Sequence, residues 1–129
     1  MTIKRTQTLQ ILAASTLICG LVYWPLPYNS HKWEWLQHGG WALGTLLVAA
    51  ITKFRTDLTI REVTFSACYG PAIANFLRIL VDTIVIDPTS HNLFPFEIAF
   101  AIILGMPCAA LGSWIGYGVR KLFTQNKPD

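Results

Sequence analysis

The sequence predicts an all-α integral membrane protein: a single bundle of four transmembrane helices with both termini on the cytoplasmic side. Three observations carry that expectation. Of 129 residues, 53% are hydrophobic and only 13% charged, where a soluble domain carries about a quarter charged residues. The apolar residues fall into four long runs. The basic residues fall almost wholly into the connectors on one side of those runs. A chain this short has too little interior to hide so much apolar surface from water, so lipid is the economical solvent.

The first run, Thr8 to Trp24, follows Lys4 and Arg5. No small-x-small cleavage site comes after it, so it reads as an uncleaved first helix over residues 8–24 rather than a removed leader. Pro25 and Pro27 end it, because proline cannot donate the next helical hydrogen bond. The second run, Gly39 to Thr52, is short for a span, and the expected helix extends it to residues 37–53. The third span is expected at 63–86 and the fourth at 96–119. Outer loops then cover 25–36 and 87–95, and an inner loop covers 54–62, with residues 1–129 forming one domain.

Charge decides whether the short second run spans. With four spans and the N-terminus inside, Lys4, Arg5, Lys53, Arg55, Arg61, Arg120, Lys121 and Lys127 all lie inside, and only Lys32 outside. Without the second span, most of these cations would move outside, against the positive-inside rule. Tyr23, Trp24, Tyr28, Trp33, Trp35 and Trp41 gather about the first outer loop, as interfacial aromatics do. The net charge of +3 is spread over connectors, which excludes a nucleic-acid footprint. Cys19, Cys68 and Cys108 lie on three different helices and read as packing residues. The expected location is the plasma (inner) membrane.

The third helix carries the unusual residues. Stepping about 100° per residue, Thr64, Ala67, Pro71, Ala74, Asn75 and Asp82 share a face with Arg78, while Phe65, Ile73, Phe76, Leu80 and Ile84 lie elsewhere. That small, polar stripe should face protein or a cavity. Placing Arg78 near a span centre costs about 2.5–3.5 kcal/mol on insertion scales. Asp82, one turn on, leans back over it because helical Cβ atoms tilt towards the N-terminus. The pair is either a structural clamp that fixes helix register or part of a binding site.

In the outer loop, Asp87-Pro88-Thr89-Ser90-His91-Asn92 is a turn-forming string. Pro95 suits a helix start, and Glu97 suits the positive end of the helix dipole. Asn75, Arg78, Asp82, Asp87, His91 and Glu97 are the candidate binding or translocation residues. His31, Glu34 and His38 would share a helical face, but scattered surface histidines are ordinarily solvated, and no metal site or other cofactor is expected. Ala101, Gly105, Ala109, Gly112 and Gly116 form a small-residue side of the fourth helix, joined by Gly40 and Gly44 on the second. Such stripes allow close helix packing in lipid, and Pro107 is expected to bend the fourth helix. Four helices leave little room for a polar path, so a homo-oligomer or a membrane-protein partner is expected beside the bilayer.

No nucleophile constellation or cofactor motif is present, so the chain reads as a non-enzyme. The leading expectation is a transporter or channel subunit for a small polar or ionic solute, using an Arg78–Asp82 site open to the outer face. The alternatives are a non-enzymatic subunit or assembly factor of a membrane complex and, behind both, an outer-face enzyme acting on lipid or envelope precursors.

Overall fold

The computed structural model describes residues 2–26, 34–86 and 93–125. They form four helices: α1 Thr2–Tyr23, α2 Glu34–Arg55, α3 Ile60–Val81 and α4 Phe94–Gln125. At its outer end α3 runs on into a five-residue π turn, Asp82–Ile86. Three helices are long and apolar enough to cross a membrane: Ile3–Tyr23, Ile60–Ile86 and Phe94–Gln125. The fourth, α2, is 22 residues long, or about 33 Å at the helical rise, but it carries Gln37 and His38 at one end and Lys53 and Arg55 at the other. All four helices outrun the apolar segments that announced them, because their polar ends cap and pair rather than fray.

The chain reverses direction at each connection. Lys4 near the start of α1 lies 3.5 Å from Glu62 on α3, and Arg120 near the end of α4 reaches Asp57 between α2 and α3 at 2.6 Å. The two ends of the described chain and the 56–59 loop therefore share one end of the bundle, and α2 runs its full length. That basic end is called the inner end below.

The inner turn between α2 and α3 is built from its sequence. Thr59 caps α3: its hydroxyl accepts the Glu62 N–H at 3.2 Å, and the Glu62 carboxylate accepts the Thr59 N–H at 2.7 Å. This reciprocal box satisfies two otherwise orphaned donors. Leu58, 1% exposed, inserts into a core of Ile11, Val48, Ala49, Val63, Ala67, Cys68 and Ala109. A second core, nearer the outer end, joins Cys19, Tyr23, Trp41, Ala72, Ala74 and Ala101.

Small residues set the helix spacing. Ala101, Gly105, Ala109, Gly112 and Gly116 are all buried. A Cβ on Gly112 would overlap the Leu46 carbonyl, and one on Gly116 the Ala50 carbonyl. The stripe of α4 thus meets α2 at its inner half, and at Gly105 it meets Cys68 and Pro71 of α3. Ala109 packs against both α2 and α3, in one core with Val48, Ala49, Val63 and Ala67. Gly40 and Gly44 meet Val22 and Ile18 of α1. These stripes serve the chain's own helices, so they supply no motive for a second copy. Pro107 lies inside α4, which continues as helix on both sides of it.

The outside of the bundle is greasy on every helix. Leu17, Leu43, Phe76, Ile103, Leu111 and Trp114 are all exposed, at 40–70%, an apolar surface far more continuous than a water-soluble monomer shows. The stability of the α2–α4 contact is directly testable. Gly112→Leu should cost about 1–3 kcal/mol through overpacking against backbone that cannot yield. Gly118, whose Cβ would meet nothing within 4 Å, should accept alanine with a gain of up to about 1 kcal/mol from helix propensity. Denaturation in mild detergent, followed by circular dichroism, measures both.

Candidate functional site

The site begins with a backbone problem. α1 ends at Tyr23, just before Pro25, and the last carbonyls of a helix have no partner within it. Arg78 supplies one. Its Nη1 donates to the carbonyls of Tyr23 at 3.1 Å and Trp24 at 2.7 Å, and its Nη2 donates to Leu26 at 2.9 Å. Its Nε donates to Asp82 Oδ2 at 2.8 Å, as the one-turn spacing predicted. The guanidinium also lies 5.2 Å from the centre of the Tyr23 ring. The planar fork of arginine suits such multiple acceptance, where a lysine would make a single point contact.

The clamp is reciprocal. The indole N–H of Trp24 donates back to the Ala74 carbonyl of α3 at 3.1 Å. The indole folds along α1 because residue 20 is glycine; a Cβ there would overlap the ring. Two turns further in, the same interface solves a second backbone problem. Pro71 has no N–H, so it leaves the carbonyl of Ala67 without its helical donor. The Ser15 hydroxyl donates to that carbonyl at 2.8 Å.

The predicted stripe of α3 is buried: Thr64, Ala67, Pro71, Ala74 and Asn75 all lie inside the bundle, with Thr64 donating to the Ser113 hydroxyl of α4 at 3.1 Å. Asp82 is 1% exposed and opens the π turn, its N–H donating to the Arg78 and Ile79 carbonyls. Such turns are frequent at functional sites. Asn75 sits one turn below Arg78 and is also buried; its Oδ1, like the buried Trp41 Nε1, has no hydrogen-bond partner among the described residues. Glu97 is half-buried in the first turn of α4. Asp87 and His91 lie outside the described residues, as does His31. His38 stands edge-on to the rings of Trp41 and Phe100, at 5.6 and 5.2 Å, an aromatic packing role. Among the described residues no group of three or more His, Cys, Asp or Glu could hold a metal ion.

A cavity of about 500 Å³ opens beside the clamp. Arg78 and Asp82 contribute its polar atoms, and Trp24, Leu77, Val81 and Ile86 its apolar walls. It opens on the Leu77–Val81 side of α3, away from the Asn75 side. The structure thus joins Arg78 and Asp82 at one cavity and leaves Asn75 off it. The sequence reading missed Trp24, although its position beside two helix-stopping prolines was the available signal. It also missed that Lys53 is buried, with its ammonium donating to the Leu58 carbonyl at 2.5 Å.

No family model, curated protein or solved structure matches this chain.

Removing Arg78 takes a charge partner from a buried carboxylate and the side-chain donor from three carbonyls at the end of α1. Arg78→Ala should therefore cost about 3–5 kcal/mol, the scale of breaking a buried ion pair. Adding Asp82→Leu to Arg78→Met should recover part of that loss, since no lone charge then remains. A double-mutant cycle in detergent reads the coupling; additive losses would count against a buried pair.

Proposed function

We propose that this chain is a four-span, non-enzymatic membrane protein with both ends on the cytoplasmic side of the plasma (inner) membrane, and that it binds a small amphipathic solute in the cavity above Arg78 and Asp82, as a transporter or carrier subunit would. The carrying observation is the cavity itself: an ionised floor under walls of Trp24, Leu77, Val81 and Ile86. Its volume falls in the range of small-molecule sites. A purely polar solute would leave those walls wetted, whereas an amphiphile sets its polar group on the floor and its body on the walls. Such a molecule can enter sideways from the outer leaflet, so no aqueous channel through the four helices is required.

The four-span topology is supported by the charge distribution among described residues. The inner end holds Lys4, Arg5, Lys53, Arg55, Arg61, Arg120 and Lys121 against Asp57 and Glu62; the outer end holds Arg78 against Glu34, Asp82 and Glu97. Positive residues mark the cytoplasmic side. Single cysteines at Asp57 and Thr124 should then label from the same side as an N-terminal tag, and one at Leu93 from the opposite side. The reverse pattern at all three would mean that α2 does not cross.

A second reading rests on the bonds of Arg78. With three carbonyls and a carboxylate engaged, the arginine has a full structural task, as expected in a subunit of a larger membrane complex. Val81→Trp separates the two. It fills the cavity and leaves every bond of the clamp in place. In liposomes carrying a short-chain pyrene-labelled amphiphile, the wild type should show energy transfer from tryptophan to the probe at the protein. Val81→Trp should reduce probe binding at least tenfold with no loss of thermal stability. Unchanged binding in Val81→Trp removes the cavity as the site and leaves the structural reading.

A further inference from the structure

At the inner end the cations divide into two sets. One set is engaged by the chain's own groups, with Lys53 buried and Lys4 and Arg120 paired at the surface. Lys4 pairs with Glu62, Lys53 donates to the Leu58 carbonyl, and Arg120 donates to the Thr56 carbonyl and to Asp57. Both inner carboxylates are thereby used. The other set is Arg5 on α1, Arg55 on α2, Arg61 on α3 and Lys121 on α4. All four are exposed, and among the described residues none meets a carboxylate. Each helix therefore presents, at the same end, one exposed cation that meets no carboxylate among the described residues.

The surroundings of that ring are apolar. Ile3, Phe54, Phe65, Leu122 and Phe123 are exposed at the same end. Phe54 and Phe123 stand edge-on at 5.9 Å, and the Arg61 guanidinium lies 5.7 Å over the Phe65 ring. A soluble polyanion would cover the cations but leave these side chains in water. A lipid satisfies both: its headgroup meets the cation and its chains lie along the greasy flank of the helix.

We propose that Arg5, Arg55, Arg61 and Lys121 form a ring of sites for the phosphate headgroups of anionic phospholipids in the leaflet at the inner end. The inference rests on the bundle lying in a membrane, but not on the cavity above Arg78. The four cations act independently, one per helix, so the selectivity is distributed round the annulus. Each basic residue near an anionic surface favours association by about fivefold, and salt screens the effect.

The test uses the full chain in nanodiscs of equal phosphatidylcholine and phosphatidylglycerol, with spin-labelled analogues of each lipid. The motionally restricted fraction should favour phosphatidylglycerol several-fold at low salt and lose that preference at high salt. The quadruple variant Arg5→Gln, Arg55→Gln, Arg61→Gln, Lys121→Gln should abolish the preference, and each of the pairs Arg5/Arg61 and Arg55/Lys121 should lose about half of it. The cations bonded within the chain are untouched, so circular dichroism should be unchanged; if the quadruple variant misfolds, the two pairs carry the test. Equal restriction of both lipids by the wild type overturns the proposal, as does a preference that survives in the variants. Saturable binding of inorganic phosphate without lipid selectivity overturns it in favour of a soluble anion.

Discussion

The bundle depends on how one helix is allowed to end. α1 stops just before Pro25, at the end of the bundle away from the basic residues, and carbonyls left there without a donor or water would be costly. Backbone that leaves the helix at membrane depth persists only where protein satisfies it. Arg78 does so with three N–H groups, and Asp82 balances the charge this brings in. The same rule operates at Pro71, where the Ser15 hydroxyl replaces the missing donor to Ala67. The α1–α3 interface is thus a series of side chains answering broken backbone, and its polar residues follow from the positions of its prolines.

Elsewhere the helices associate by shape. Lipid tails are as apolar as leucine side chains, so burying leucine gains little, and close backbone approach supplies the attraction instead. Gly112 and Gly116 let α4 press on the Leu46 and Ala50 carbonyls of α2, while Gly105 meets α3. Large apolar residues are turned to the outside of the bundle. The inner end adds a lock: Lys53 and Arg120 hold the short 56–59 loop by its carbonyls, and Leu58 plugs the core beneath them.

Much of this was legible in the sequence, for identifiable reasons. Helical periodicity placed Thr64, Ala67, Pro71, Asn75 and Asp82 on one inward face because a helix has a fixed pitch, and all of them are buried. The Arg78–Asp82 contact followed from i to i+4 spacing. Partners on other helices were out of reach of such rules. Nothing in local spacing tells that Arg78 spends most of its donors on carbonyls at the end of α1, or that the inner half of the α4 stripe presses on α2 carbonyls while still packing beside α3. Lys53 was read as a topology marker because charge counting is blind to orientation; its burial depends on the loop that folds over it. Helix ends were underestimated for a related reason, since capping by Thr59 and Glu62 extends α3 past its apolar run.

The two sets of inner cations and the outer clamp obey a common logic. A charged side chain turned inward is bonded to backbone or to a carboxylate, and is thereby fixed. A lysine or arginine so engaged cannot swing with a solute without freeing carbonyls in lipid, at a cost of several kcal/mol for each unsatisfied group. Chemistry open to a ligand therefore lies where charge meets apolar surface without being consumed by the fold: at the cavity wall beside Arg78, and at the outward ring of Arg5, Arg55, Arg61 and Lys121. Both places face sideways out of the bundle, towards the bilayer in the proposed setting. A bundle built in this way is suited to molecules that approach through the bilayer rather than through its own tightly packed centre.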